Sequence, residues 1–326
     1  MAKESYCVVG LGNIAKRHRK NLKILFPLSV IISVSASGRI PKSTPDDCDY
    51  FAESISDAIK KCPRYAIIAS PSTFHADHAA QFIRASIPIL IEKPLTSEYQ
   101  DAHILEDVAR DYGTPVAVGY CLRFMPSALR VKSLLQDHVI GKIFNANIIS
   151  GDYLPNWRPS LDYKSSVSAS KKLGGGVLLE LSHEFDYVLW LLGDMKVEFS
   201  SLSNSETLNI DVEAVADIVL KSADNVICYV HLDFLQSPSH RYVKIIGEKG
   251  RLDWDITNNR VELITTDGRE SKYSDPGWDK NEMYLDMLRE FDVYLLSNES
   301  GSLATMKDGL AVVKMVNDIR LLSEIR

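Results

Sequence analysis

The feature that most limits how this chain can fold is a short strand running straight into a glycine turn. Tyr6-Cys7-Val8-Val9 is followed by Gly10-Leu11-Gly12-Asn13-Ile14-Ala15 and then by the basic helix Lys16 to Leu25. A GxGxxG/A turn in that context uses its first glycine for a tight bend and its second to let backbone approach a pyrophosphate. The small last residue permits close helix packing. The free N–H groups and positive dipole of the helix start suit phosphate. Gly10, Gly12, Asn13, Ile14 and Ala15 are therefore read as dinucleotide-binding, at the head of a parallel βα series.

The series continues. Leu28 to Ser35 reads as the second strand, and its tip carries Ser35-Ala36-Ser37-Gly38-Arg39 where an NAD-type site expects a carboxylate for the ribose hydroxyls. Ser37 and Arg39 suit a 2′-phosphate instead, which favours NADP over NAD. Tyr65 to Ala69 is the next buried strand, ending in Ser70-Pro71-Ser72-Thr73-Phe74-His75. Ser70 and Pro71 fit a helix N-terminus lying against the nicotinamide end of the cofactor, with His75 as a wall residue opening the helix Ala76 to Ala85.

The next segment is Pro88-Ile89-Leu90-Ile91-Glu92-Lys93-Pro94. A short apolar run between prolines signals a strand buried on both faces, and Pro94 ends its ladder. Lys93, with Glu92 before it, is thus delivered to the carboxyl end of a buried strand, where open α/β sheets place ligands. Ser97 reads as the cap of a helix reaching Tyr112, and Pro115 to Tyr120 as the last strand of a first domain, residues 1–119. The remainder, 120–326, reads as a second, α+β domain, with the final helix free to return to the first.

Composition excludes several classes. The net charge of −6 gives no support for nucleic acid or an anionic membrane as partner. Five scattered cysteines without a CxxC pair argue against a disulfide framework and a zinc site, and for reduced thiols in the cytoplasm. No apolar run is long enough to cross a bilayer.

Four motifs in register, the GxGxxA turn, Ser-Pro-x-x-x-His, Glu92-Lys93-Pro94 and Gly119-Tyr120-Cys121-Leu122-Arg123-Phe124, resemble the glucose–fructose oxidoreductase, inositol dehydrogenase and rhizopine-catabolism family (Gfo/Idh/MocA). The resemblance implies a Rossmann domain with a doubly wound parallel sheet, followed by an α+β domain with a large, mostly antiparallel sheet. It implies NADP or NAD as cofactor and a carbohydrate or cyclitol substrate. It also implies a homo-oligomer formed through the second sheet.

The second half is consistent with it. The long segment 151–172 is aromatic and charged, and Tyr153, Trp157, Arg158 and Tyr163, with Tyr120 and Arg123, are candidate substrate contacts. After Gly174-Gly175-Gly176, apolar spacing through Leu178, Leu181, Phe185, Leu189 and Leu192 reads as one helix. Glu180 and His183 would then share a face, so that the carboxylate orients the imidazole, and His183 becomes the candidate general base. The family shows an aspartate, a histidine four residues later and an aspartate three beyond; this chain keeps His183 and Asp186 but has Glu180 one residue closer. Asp186 joins the substrate candidates. The wording of the segment also resembles members from bacterial surface-sugar biosynthesis.

The expected mechanism has His183 removing a hydroxyl proton while hydride passes to the nicotinamide, and Lys93 hydrogen-bonding the substrate oxygen. A non-catalytic nicotinamide sensor, or a reductase of an imine or double bond, would use the same cradle.

Overall fold

The computed structural model describes residues 3–160 and 162–324. Residues up to Cys121 form β1 (Ser5–Val9), α1 (Asn13–Leu25), β2 (Val30–Val34), β3 (Tyr50–Ala52), α2 (Ile55–Ile59), β4 (Tyr65–Ile68), α3 (His75–Arg84), β5 (Ile89–Ile91), α4 (Tyr99–Tyr112) and β6 (Val116–Val118). Then come α5 (Pro126–Gln136), β7 (Ile143–Gly151), α6 (Val177–Glu180), α7 (His183–Leu192), β8 (Met195–Ser203), β9 (Val215–Ser222) and β10 (Ile227–Asp233). They are followed by β11 (His240–Gly247), β12 (Gly250–Asp255), β13 (Arg260–Thr265), β14 (Glu270–Ser274), α8 (Glu282–Ser297), β15 (Ala304–Thr305) and α9 (Met306–Glu324).

The chain divides into two compact units. One takes residues up to Cys121 together with Asn281–Val313, and the other Leu122–Lys280 with the chain from Lys314 onward. The first unit thus takes α8 and the first part of the final helix α9 back from the end of the chain.

In the first unit the strand order is β15-β6-β5-β4-β1-β2-β3, parallel throughout except for the short β15 against β6. Tyr6, Cys7, Val8 and Val9 of β1 and all of β4 and β5 are fully buried, because helices cover both faces of a parallel sheet. Helix α1 seats Ala15, His18, Arg19 and Leu22 inward, the three-and-four spacing of one helical face. The strand order reverses direction between β1 and β4, and at such a point open α/β sheets bind their ligands. Helix α4 begins after Glu98 and has no side-chain cap, so Ser97 does not have the capping role the sequence suggests.

The second unit is built on an eight-stranded sheet, β14-β13-β12-β11-β7-β10-β9-β8. Only β7 and β10 run parallel; every other neighbouring pair is antiparallel. Alternation sets its faces: Ala146, Ile148, Ile218, Leu220, Val230, Leu232, Val243 and Ile245 are buried, whereas Ile149 and Tyr229 on the other face are exposed. Among the described residues, no helix is long and apolar enough to cross a membrane.

Candidate active site

The cradle in the first unit is made largely of backbone. Gly10 has φ +126°, which an L side chain rarely adopts, and a Cβ there would collide with the carbonyl of Ala69 at the end of β4. Its N–H donates to Val34 O at 2.8 Å, tying the turn to β2. Gly12 is the N-cap of α1, exposed, with open space where a Cβ would stand. Asn13 and Ile14 begin the first turn, which contains no acidic residue and receives no side-chain cap. Ala15 is fully buried beneath the turn. These are the properties an anion needs: uncapped N–H groups, no competing carboxylate, and backbone close to the surface.

Arg19 braces the turn from below. It is buried, donates from Nη1 to Gly10 O at 2.8 Å, and grips Asp47 through Nε at 2.9 Å and Nη2 at 3.1 Å. Asp49 is engaged by Lys23 at 2.7 Å and accepts the Ile31 N–H. These two carboxylates of the loop after β2 are thereby occupied. Ser37 and Arg39 stand exposed on that same loop, with Ser37 Oγ 3.4 Å from Ser35 Oγ.

The end of β4 and the end of β5 are joined by a histidine. His75 is buried, with Nδ1 2.9 Å from Pro94 O and Nε2 2.8 Å from Ser70 O. Burial holds its imidazole below the usual range despite those carbonyls. His75 is thus a strut between two backbone segments, placed as a wall residue beside the Ser70-Pro71 turn. Ser70 Oγ lies 3.0 Å from His78 Nδ1, and Pro71 starts the short turn that leads into α3.

Beside Lys93 stands a buried pair. Glu92 Oε1 is 2.6 Å from His18 Nε2, and Glu92 Oε2 accepts the Lys93 backbone N–H at 3.2 Å. Burial pushes the Glu92 carboxyl up, but the hydrogen bond and charge of His18, then Lys93, bring it below its ordinary value. Glu92 is therefore an ion held inside the unit. Lys93 itself is half-buried.

In the second unit, the structure redistributes several expected substrate contacts. Arg123 and Asp186 are both buried and joined two-pronged, Nε at 3.0 and 3.1 Å and Nη2 at 2.7 Å. Each charge is thus met by the other in a two-pronged pair. Tyr120, at the end of the first unit, is fully buried. Tyr163 donates its hydroxyl to Leu208 O at 3.0 Å, pinning the 151–172 arm.

The arm encloses a pocket of about 190 Å³ lined by Leu154, Trp157, Arg158, Asp162, Tyr163 and residues 165–168. Of the lining residues, Trp157 Nε1 and Ser166 Oγ are buried without a hydrogen-bond partner among the described residues, while Tyr153 is half-buried nearby in the chain and Arg158 exposed.

The helix expected across Glu180 and His183 is broken. Helix α6 ends at Glu180, Leu181 turns away at φ −98° and ψ 28°, and α7 starts at His183. The shared helical face on which the Glu180–His183 pairing depends is absent. A long-range contact caps the start of α6: Glu213 O accepts the Val177 N–H and its Oε1 accepts the Leu178 N–H. Gly176, φ +103°, lies where a Cβ would strike the Glu213 carboxylate. Burial raises the Glu213 carboxyl above its ordinary value. His183 and Glu180 are both half-buried.

Sequence reasoning misses His18, Glu213 and Ser166. A histidine in the inward row of α1 is a signal for the first; nothing local marks the other two.

Comparison with known proteins gives the following. Residues 5–120 match the family model described as oxidoreductase family, NAD-binding Rossmann fold, and residues 128–253 that of the GFO/IDH/MocA C-terminal domain. An uncharacterized oxidoreductase of Synechocystis sp. is 30% identical over 57% of this chain and 53% of its own length. The rhizopine catabolism protein MocA of Rhizobium meliloti is 27% identical over 47% of this chain and 45% of its own. The chain thus spans about half the length of these two relatives. A levoglucosan dehydrogenase solved with NADH and levoglucosan superimposes with a TM-score of 0.85 at 16% identity, covering 99% of this chain and 98% of that one.

Proposed function

The chain belongs to the Gfo/Idh/MocA family of oxidoreductases, and on that premise we propose that it moves a hydride between a nicotinamide dinucleotide and a hydroxyl or ketone of a sugar or cyclitol. The observation that carries the proposal is the strand-end arrangement of the first unit. The open glycine turn after β1, the Ser70-Pro71 turn after β4 and Lys93 after β5 all leave the carboxyl ends of neighbouring strands in one sheet.

The dinucleotide would be held by Gly10, Gly12, Asn13 and Ile14 at its phosphates, with Ser70, Pro71 and the Lys93 strand end toward the nicotinamide. Ser37 and Arg39 would take a 2′-phosphate, and the engagement of Asp47 and Asp49 by Arg19 and Lys23 favours NADP over NAD. Once bound, the nicotinamide supplies the hydride chemistry. Lys93 gives a hydrogen bond to the substrate oxygen, and His183, at the first position of α7, accepts the hydroxyl proton. No step in this scheme is assigned to Glu180.

The carbohydrate reading draws on the arm, whose pocket is lined by Trp157, Arg158, Asp162, Tyr163 and Ser166, with Trp157 Nε1 and Ser166 Oγ buried and without a partner among the described residues. A double-bond or imine substrate would leave them unsatisfied. The proposal extends to a homo-oligomer, since Ile149 and Tyr229 expose apolar surface on the open face of the sheet. It also places the protein in a reducing cytoplasm, where its cysteines stay thiols.

The test is to mix the protein with NADP⁺ or NAD⁺ and a panel of free sugars, sugar nucleotides and cyclitols, and to follow reduced nicotinamide by absorbance. Reduction that disappears in Lys93→Ala and His183→Ala supports the proposal. Turnover of an imine that survives His183→Ala, with no sugar oxidised, points to the rival reductase; cofactor binding with no reduction of any kind points to a sensor.

A further inference from the structure

Helix α1 carries two things at once: the phosphate-facing turn at its N-terminus and, from its inward face, a histidine that reaches the residue before Lys93. We propose that the buried His18–Glu92 pair is a positioning unit that fixes Lys93 from the cofactor helix. The inference rests on the reading that Lys93 acts on the substrate.

The geometry is direct. His18 is fully buried in the row that also holds Ala15 and Leu22, where packing alone calls for an apolar side chain. It spends Nε2 on Glu92 Oε1 at 2.6 Å, and its Nδ1 is buried with no hydrogen-bond partner among the described residues. An imidazole buried at that cost is poorly explained as a stability device, because buried charged pairs are seldom better than apolar packing of the same volume. Glu92 passes the constraint on through Oε2, which accepts the Lys93 backbone N–H at 3.2 Å. Its side chain has no room to swing: a Cβ on Gly119 at the end of β6 would stand 3.2–3.3 Å from Glu92 atoms.

The other groups facing this pair are few. The Tyr284 ring of α8 meets His18 edge-on at 6.1 Å between centroids, and Arg17 lies over that same ring at 4.6 Å. Burial, Cys121 and the Glu92 charge together push the Tyr284 hydroxyl above its usual range, so it stays neutral. His75 of α3 feels the Glu92 charge while bonded to backbone. His18 is therefore the short side-chain contact that holds the Glu92 carboxylate, and removing it loosens the group that anchors the Lys93 backbone.

The test reads the lysine without needing a substrate. The cofactor-free protein is labelled with acetic anhydride, and acetylation of each lysine is followed by mass spectrometry in wild type, His18→Ala, His18→Gln, Glu92→Gln and the His18→Ala/Glu92→Gln double variant. Expected is a several-fold change in Lys93 labelling in His18→Ala, with Lys16, Lys20 and Lys244 unchanged. His18→Gln, which keeps an N–H for Glu92, should return Lys93 toward the wild-type rate, and the double variant should match the worse single one. Should His18→Ala fail to fold, Glu92→Gln carries the same expectation. Unaltered Lys93 labelling in every variant would overturn the proposal, as would a uniform rise across all lysines or effects that multiply in the double variant. Loss of turnover in Lys93→Ala is measured separately, so the positioning claim can fail while the role of the lysine stands.

Discussion

The cradle of the first unit and the side-chain clusters of the second do their work by different means. Around the glycine turn, what matters is backbone: a positive φ at Gly10, an uncapped helix start, and strand ends that stop where β1, β4 and β5 stop. In the second unit, shape is imposed by side chains that reach across long stretches of sequence, Arg123 to Asp186 and Arg241 to Glu184 among them. Backbone-built sites should fail when a Cβ is added, and side-chain-built ones when a charge is removed.

The largest effect is expected from the one side chain on which the first unit's chemistry depends. Lys93→Ala should lower turnover by about 100- to 10,000-fold with cofactor affinity little changed, as measured by steady-state kinetics beside a fluorescence titration. A change of only a few-fold would remove the lysine from the mechanism.

Next comes the buried ion pair. Asp186→Ala strands the Arg123 guanidinium, and the cost should be about 3–5 kcal/mol in chemical denaturation. Cofactor affinity should stay near wild type, because the pair lies in the other unit. Loss of affinity in this variant would break the comparison.

Gly10→Ala is the mirror case. Adding a Cβ at φ +126° against the Ala69 carbonyl should strain the turn by about 1–3 kcal/mol and weaken cofactor binding roughly 10- to 100-fold. Unchanged affinity would mean that the turn is not the cradle.

The smallest effect sharpens the account of the sheet. His231 sits between Asp233 at 3.2 Å and Asp217 at 2.7 Å, and those carboxylates, against the opposing effect of burial, raise its pKa to about 9. A raised folded pKa contributes stability that is complete below the unfolded value, about 6.5, and is lost as pH rises through about 9. Because the imidazole is more than a third exposed, solvent screens much of this. A shallow fall in Tm between those limits is expected, flattened in His231→Gln; a fall of equal size in both would assign it to another group.

How much of this is legible in the sequence follows the same division. The βα series, the glycine turn and the strand behind Lys93 can be read because each is a local pattern: period, turn chemistry and a proline stop lie within a few residues of one another. The small additions to the sheets, β3, β14 and β15, escape such a reading, being short strands without apolar alternation. The helix through Leu178, Leu181 and Phe185 has the right spacing and is broken all the same at Leu181, where the backbone leaves helical values. The Arg123–Asp186 pairing and the His18–Glu92 bond are invisible too, since each partner has ordinary neighbours in sequence. Local rules place a candidate lysine at a strand end; what holds it there comes from elsewhere in the chain.

The central claim, that the first unit holds a nicotinamide dinucleotide on the glycine turn, is tested most directly by titrating the protein with NADPH and, separately, with NADH while following nucleotide fluorescence. The account predicts saturable binding of both, tighter for NADPH, with the NADPH preference reduced in Arg39→Ala. Absence of binding by either nucleotide would contradict it.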